Sequence, residues 1–153
     1  MTDMYSIEKE SEARVNVIDK FDGEYQFLSN FYDCEVPYKG LVYRNSESAF
    51  QAQKCTLEED KIPFTNVYAG TAKKMGRKVN LRNDWEKVKL SEMKNIVRSK
   101  FTNNEDLRNK LVSTGNAQLI EGNYWHDTFW GVCNGKGENH LGKILMEIRE
   151  ELS

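Results

Sequence analysis

Two segments of the chain carry apolar residues at the spacing of an α-helix, and they restrict the folds that the sequence can adopt. One segment starts at Asn83 or Asp84, and its apolar residues share a single stripe: Trp85, Val88, Met93, Ile96, Val97 and Phe101. The other starts after Asn139, and its apolar residues share one face: Leu141, Ile144, Leu145, Ile148 and Leu152. A helix with one apolar face is stable when that face packs against another element. The pattern therefore predicts a core built mainly from helices.

Shorter helices are predicted outside these two segments, where good helix formers lie between capping and breaking residues. Their expected limits are Glu47–Cys55 after Ser46, Glu58–Lys61 before Pro63, Ala72–Arg77 after Thr71, and the segment between Asn104 and Gly115. We expect each of them to add a short amphipathic piece to the helical core.

Short strands are predicted among the helices. Cys34–Tyr38 and Leu41–Tyr43 are expected to form a hairpin, because Lys39-Gly40 supplies a two-residue turn. Alternation around Val17 and the apolar residues of Leu119–Glu121 indicate two more strands, whereas Gly122–Gly137 is expected to be loop. Together the patterns predict one helix-dominated α+β domain over residues 13–153 with a small antiparallel β-sheet, after a flexible tail over residues 1–12.

Composition excludes several classes of protein. No run of the 153 residues approaches the roughly 20 apolar residues that cross a bilayer, and the N-terminus lacks the apolar stretch of a secretory signal. Cys34, Cys55 and Cys133 are far apart and show no CxxC spacing, so neither a disulfide framework nor a cysteine zinc site is expected. We therefore expect a cytoplasmic protein with reduced thiols, no metal, no cofactor and no membrane contact; its oligomeric state is not predicted.

The segment Glu47 to Lys54 is the most informative for chemistry. At 100° per residue, Glu47, Phe50, Gln51 and Lys54 fall on one stripe, and small residues occupy the opposite side. The stripe could be an ordinary solvated face with i,i+4 contacts. If it lines a pocket instead, Glu47 and Lys54 lie roughly 10 Å apart along the helix, and both side chains could reach one ligand.

The segment Glu121 to Gly131 places two tryptophans, a histidine and two carboxylates in an expected loop. Trp130 could cap the core from outside or stack on a planar ligand such as a nucleobase. Asp127 could supply a carboxylate beside such a ligand. Both interpretations stay open.

Anion-binding features are present but weak. The residues after Gly131 fit neither the dinucleotide-binding nor the P-loop glycine pattern, yet Asn139 opens a helix, and helix N-termini attract anions. The dense run of basic residues from Lys73 to Arg82 could be a solvated face or a phosphate contact. Since the net charge is −2, an extended nucleic-acid surface is not expected, although a short contact is possible.

Specific residues, in their order along the chain, resemble the YbiA-like family, also called NADAR. They are Phe27-Leu28-Ser29-Asn30-Phe31, Ser46-Glu47, Gln51-Ala52-Gln53-Lys54, Ala72-Lys73-Lys74-Met75-Gly76-Arg77, Trp85, Met93, Lys100-Phe101, Leu111, Thr114-Gly115, Leu119, Glu121, Asp127, Trp130-Gly131 and Asn139-His140-Leu141-Gly142-Lys143-Ile144-Leu145-Met146. The resemblance covers about Phe21 to Leu152. In one departure, the family commonly has a histidine directly after the glutamate at position 47, and this chain has Ser48.

The resemblance implies an N-glycosidase that cleaves the bond between ribose C1 and a nitrogen. Substrate classes of the family are early riboflavin-pathway intermediates bearing ribose 5-phosphate, and ADP-ribose attached to guanine. Either a carboxylate stabilises positive charge on the ribose, or a lysine amine attacks C1 and forms a Schiff base. By this resemblance the catalytic candidates are Glu47, Lys54 and Asp127, and the substrate-binding candidates are Asn30, Phe31, Gln51, Arg77, Glu121, Trp130 and Asn139.

A second function is compatible with the same residues. The chain could bind or sequester an ADP-ribose-type nucleotide without cleaving it, and Ser48 in place of the histidine supports that alternative. The expected partner in either case is a small nucleotide or ADP-ribosyl substrate, with a short contact to ADP-ribosylated nucleic acid as a further possibility. A pure interaction protein is a third interpretation.

Overall fold

The computed structural model describes residues 16–153, so the tail expected over residues 1–12 lies outside the described part of the chain. Within that part the chain forms five α-helices and two 3₁₀ helices, and short strands lie between them. The α-helices are α1 (Ser46–Ala52), α2 (Ala69–Gly76), α3 (Trp85–Thr102), α4 (Glu105–Ser113) and α5 (His140–Leu152), and the 3₁₀ helices are Gly23–Leu28 and Glu58–Phe64. The α+β class is confirmed.

The strands form three separate two-stranded pairs. They are β2 (Val36–Tyr38) with β3 (Leu41–Tyr43), β1 (Val17–Ile18) with β4 (Gln118–Leu119), and β5 (Gly122–Asn123) with β6 (Val132–Cys133). Only the β2–β3 pair is antiparallel; the other two are parallel. The predicted hairpin is therefore present, and its turn residues Lys39 and Gly40 both have positive φ, as the turn that joins twisted strands requires.

The core lies where the two long amphipathic helices meet. The stripe of α3 buries Met93, Ile96 and Phe101, and α5 buries Leu145 and Ile148 against it and against β4. Phe101 also meets the ring of Phe27 edge to face at 6.4 Å between ring centres. Both long helices predicted from periodicity are thus present, and they contribute much of the hydrophobic core. In residues 16–153, no helix combines the length and the apolar character that a bilayer span needs.

Several helix limits differ from the sequence expectation. Helix α1 ends at Ala52 and not at Cys55, and α2 ends at Gly76. Asn45, not Ser46, caps α1, because its side-chain oxygen accepts a hydrogen bond from the Ser48 N–H at 2.7 Å. Helix α2 begins at Ala69, ahead of Thr71, and the 3₁₀ helix Glu58–Phe64 continues through Pro63. A proline is tolerated there because its fixed φ suits a helical turn. The segment expected to be loop contributes the short strands β5 and β6.

Substitution of Phe101 by alanine should destabilise the fold strongly. Phe101 on α3 is fully buried and packs against Phe27 of the first 3₁₀ helix, so its removal leaves a cavity that costs about 3–5 kcal/mol of unfolding free energy. Denaturant titration of Phe101→Ala measures the loss. The exposed neighbour Thr102→Ala serves as the control, and an equal, small effect of both variants would contradict the assigned core.

Candidate active site

A single large cleft collects most of the candidate residues. Its volume is about 1280 Å³, and it lies between α1, the segment after the first 3₁₀ helix, the start of α3 and the 120–135 segment. Eight residues singled out by sequence line it: Asn30, Phe31, Glu47, Gln51, Lys54, Glu121, Asp127 and Trp130. The stripe on α1 is therefore the wall of a cleft and not a solvated face.

Helix α1 is held in place by close packing on its far side. Every residue of the helix is buried, and the small side chains of Ala49 and Ala52 are fully enclosed. Helix α2 approaches so closely that a Cβ on Gly76 would lie 1.9 Å from the side-chain oxygen of Gln51. Glycine at position 76 thus allows α2 to pack closely against the cleft-lining side chain of Gln51.

Glu47 presents a carboxyl group in the first turn of α1. Its side-chain Oε1 accepts a hydrogen bond from the Gln51 amide at 2.9 Å, and its backbone N–H bonds the Asn30 carbonyl at 3.0 Å. Burial raises the pKa of Glu47, although the Gln51 hydrogen bond and the charges of Lys73 and Lys54 oppose the shift. Glu47 therefore keeps its proton to a higher pH than an ordinary glutamate does.

Lys54 lies just beyond the end of α1, at the same cleft. Its backbone carbonyl accepts a hydrogen bond from the Arg82 N–H at 2.9 Å, and its side chain is partly buried. Burial lowers the pKa of Lys54; Glu47 opposes the shift, while Arg77 and Lys73 add to it. The amine is therefore neutral at a lower pH than that of an exposed lysine.

The opposite wall is a loop ordered by its own polar side chains. One oxygen of Asp127 accepts hydrogen bonds from the N–H groups of Phe129 at 3.1 Å and Trp130 at 2.9 Å. The Asn123 amide donates to Glu121 Oε2 at 3.0 Å and to the Asp127 carbonyl at 2.9 Å. The two carboxylates are thus fixed in the cleft by one connected network.

Glu121 is a third acid–base candidate in the cleft. Its partial burial is the main cause that raises its pKa to about 7, and nearby Asp127 adds to the shift. A Cβ on Gly131 would lie 1.8 Å from Glu121 Oε2, so only glycine lets the loop close over this carboxyl group. Glu121 therefore changes charge near neutral pH inside the cleft.

Aromatic rings line the inner part of the cleft. Trp130 meets Phe50 edge to face at 5.3 Å, and Phe50 packs on Trp85 at 5.0 Å between ring centres. Phe31 is half exposed at the cleft, with Lys73 Nζ 5.8 Å from its ring centre. The cleft thus offers planar apolar surfaces next to acid, amide and amine groups.

Residues 18–153 match the model of the NADAR domain. The chain belongs to the NADAR family. Among similar proteins, one from Shigella boydii named N-glycosidase YbiA is 38% identical over 134 residues, which are 85% of this chain and 83% of that protein. A protein of Nostoc punctiforme, also named an N-glycosidase, is 36% identical over 84% of this chain and 86% of its own length.

Two further similarities extend the comparison. A riboflavin biosynthesis protein of Vibrio vulnificus is 37% identical over 86% of this chain, but the match spans only 36% of that longer protein. The NMR structure of the Escherichia coli protein YbiA superposes with a TM-score of 0.81 at 35% identity, over 90% of this chain and 85% of that one. The NADAR fold of this chain is therefore shown by both sequence and structure.

Two residues expected to bind substrate lie elsewhere. Arg77 is exposed and is not part of the cleft lining, although its charge reaches Lys54. The Asn139 side chain joins two backbone groups: it donates to the Leu119 carbonyl and accepts from the Glu121 N–H, both at 2.9 Å. In this structure Asn139 positions Glu121 and does not line the cleft.

Position 48, where the family histidine is replaced, also lies outside the cleft lining. The Ser48 hydroxyl is buried and donates a hydrogen bond to the Val67 carbonyl at 3.1 Å. The serine therefore serves the packing of α1 against the following segment. Ser48 therefore points away from the cleft that Glu47 and Lys54 line.

Sequence reasoning did not assign Lys73 and Lys89 to the cleft, and both line it. Lys73 belongs to a run of basic residues, and nothing in that run distinguishes the one lysine that faces the cleft. Lys89 pairs with Glu86 at 2.7 Å and lies 4.2 Å from the Phe129 ring centre. No group of three His, Cys, Asp or Glu side chains in residues 16–153 is placed to hold a metal ion.

The raised pKa of Glu121 predicts a pH-dependent stability. Because its folded-state pKa lies above the ordinary value of 4.5, the stability that its proton contributes is complete at low pH and is lost as pH rises through about 7. The Tm of Glu121→Gln relative to wild type should therefore increase by a few degrees between about pH 5 and pH 8. Thermal unfolding across that range tests this, with exposed Glu24→Gln as control. A constant difference between variant and wild type would refute the assigned shift.

Proposed function

We propose that this protein is an N-glycosidase that hydrolyses the C1–N bond of a phosphorylated riboside or an ADP-ribosyl adduct. The observation that carries the proposal is one cleft lined by a buried carboxyl group, Glu47, a partly buried amine, Lys54, and the ring of Trp130. The names of two similar proteins, both called N-glycosidases, support the same reaction class. The choice of a phosphorylated riboside or an ADP-ribosyl adduct as substrate follows what the resemblance to the NADAR family implies.

The directions of the two pKa shifts suit attack by an amine on ribose C1. A neutral Lys54 has the lone pair that a nucleophile needs, and a protonated Glu47 has a proton for the leaving nitrogen. Lys54 forms a bond to C1, the C1–N bond breaks, and the leaving base takes the Glu47 proton. Glu47 then removes a proton from the new ammonium group.

Hydrolysis completes the reaction. Glu47 gives the proton that it has just accepted to the ring oxygen as the C1–O bond opens, which leaves a protonated imine between C1 and Lys54. Water adds to C1 and loses a proton to Glu47; the amine then departs with the proton of the new hydroxyl group, and the free sugar closes again. The sequence of steps returns Lys54 and Glu47 to their starting forms and draws only on side chains of the cleft and water, so we propose that it needs no metal.

A carboxylate route is the alternative chemistry at the same site. Positive charge develops on C1 as the C1–N bond lengthens, and a nearby carboxylate stabilises it. Asp127 lines the cleft, and two backbone N–H groups fix one of its oxygens. In this route Asp127 stabilises the charge and no covalent adduct forms.

Substrate contacts follow from the remaining side chains. Trp130 and Phe31 offer surfaces on which the base or ribose could stack. Lys73 lines the cleft and forms no salt bridge within residues 16–153, so it is the proposed phosphate contact in place of Arg77. The non-catalytic binding alternative was supported by Ser48, and that side chain lies away from the cleft.

Substitutions at the two reacting groups should abolish turnover while the fold persists. Glu47→Gln and Lys54→Met should each lower kcat/KM by about 100-fold or more, because each removes a proton-transfer or nucleophilic group. The assay measures base released, in EDTA, from the aminouracil ribotide and from ADP-ribosylated guanine. Glu59→Gln and Lys78→Met, both exposed, are the matched controls. No base release from either substrate by the wild type at high enzyme would refute the proposal.

Borohydride reduction separates the two chemistries. If Lys54 forms an imine with the sugar, reduction during turnover should leave a stable adduct that peptide mass spectrometry locates on Lys54. Turnover without any trapped adduct, together with near-normal activity of Lys54→Met, would favour the carboxylate route and exclude the amine.

A further inference from the structure

An exposed aromatic pair at the cleft is not used by the proposed chemistry. Tyr124 is 85% exposed and Trp125 is 52% exposed, and both line the same cleft as Glu47. Their rings meet edge to face at 5.1 Å between centres. Neither ring belongs to the buried hydrophobic core. Core packing therefore does not explain two large rings at this position.

The backbone presents this pair on a closed turn. The side-chain N–H of Asn123 donates to the Asp127 backbone carbonyl at 2.9 Å, and the Asn123 side-chain oxygen accepts from the Asp127 backbone N–H at 3.1 Å. Between these two residues, His126 adopts a φ of +68°, a backbone conformation that is uncommon for residues other than glycine. The turn holds two aromatic rings toward solvent at a local conformational cost. Backbone strain of this kind clusters at active sites and ligand clamps.

The size of the cleft leaves room for a ligand group beyond the reacting sugar. Its volume of about 1280 Å³ exceeds the range of about 300–1,000 Å³ that is usual for sites that bind one compact molecule. The cleft also contains Lys20 and Lys73, which add positive charge for phosphate groups. An elongated, anionic ligand with more than one planar ring fits these features better than a single ribotide does.

We propose that Tyr124 and Trp125 form a stacking subsite for a second nucleobase of the substrate, one that is joined through phosphate to the ribose being cleaved. This inference rests on the proposed function and selects within it. The preferred substrate is a ribosyl unit linked through phosphate to another base, as in an ADP-ribosyl adduct, and not a single-ring ribotide. Ring stacking accepts any nucleobase, because it depends on the flat face of the base and not on hydrogen bonds to its edge.

A matched pair of substrates tests this subsite. Both carry the same leaving base; one has ribose 5-phosphate, and the other has adenosine 5′-phosphate attached to that phosphate. Wild type should show a lower KM for the two-ring substrate. Trp125→Ala and Tyr124→Ala should raise that KM by about 5- to 150-fold and leave the single-ring KM and both kcat values unchanged. Trp125→Phe should restore much of the loss, since it keeps a stacking ring.

Tyr68→Ala is the control, because Tyr68 is also a tyrosine exposed at the surface, at 62%, and it lies outside the cleft lining. An unchanged two-ring KM in the alanine variants, or an equal rise for both substrates, would overturn the stacking subsite and leave the N-glycosidase intact. If the wild type cleaves neither substrate, the proposed function fails instead. Calorimetry with ADP-ribose and ribose 5-phosphate then tests the stacking subsite. The subsite is supported if Trp125→Ala weakens the binding of ADP-ribose alone, and any other result overturns it.

A further comparison of two substrates identifies where the second base comes from. The two-ring adduct is presented as a free compound and within a short single-stranded oligonucleotide. A loss in Trp125→Ala for the free adduct supports a base carried by the substrate itself. A loss confined to the oligonucleotide would overturn that assignment and place a neighbouring base of the strand on the pair.

Discussion

The site depends on the burial of α1, a helix of only seven residues, each of which is buried. A helix this short is marginal in water, so its conformation comes from packing and from the Asn45 cap. Gly76 on α2 allows the supporting helix to approach the Gln51 side chain closely. Burial fixes Glu47 at the cleft and removes its carboxyl group from water at the same time.

The same burial has opposite consequences for an acid and an amine. Loss of water disfavours the charged form of each group, so the pKa of Glu47 rises and the pKa of Lys54 falls. The attraction between the charged forms lowers the pKa of Glu47 and raises that of Lys54. Burial has the larger effect on each group, so both pKa shifts keep their direction. Both shifts are in the direction that transfer of a sugar from nitrogen to lysine and then to water would require, because they favour a protonated acid and a neutral amine. The nearby Glu121 offers another group that can exchange a proton near neutral pH.

Features that depend on local periodicity could be predicted from sequence. The apolar stripes of α3 and α5 and the Lys39-Gly40 hairpin follow from residue spacing and turn chemistry, and the structure confirms them. The parallel pairs β1–β4 and β5–β6 could not be predicted, because strands of two residues carry no register signal, and the two strands of β1–β4 also lie about a hundred residues apart in sequence. The candidates on α1 could be placed on one stripe, but only the fold shows that this stripe faces a cleft.

Residues whose function depends on side-chain direction were the hardest to assign. Asn139 was expected at a ligand and instead joins β4 to the backbone of Glu121. Lys73 lines the cleft while Arg77, four residues later on the same helical side, is exposed beyond the end of α2. The aromatic pair at Tyr124 and Trp125 was visible in the sequence, but its exposure was not.

The protonation of Lys54 is the most direct test of this account. With ¹³C-labelled lysine, the Cε signal of Lys54, assigned by its loss in Lys54→Arg, can be followed as pH rises. We expect a midpoint below the ordinary lysine value of 10.5 and a still lower midpoint in Glu47→Gln, because Glu47 favours the charged amine. A midpoint at or above 10.5, unaffected by the Glu47 substitution, would contradict a desolvated amine that shares a cleft with a carboxyl group.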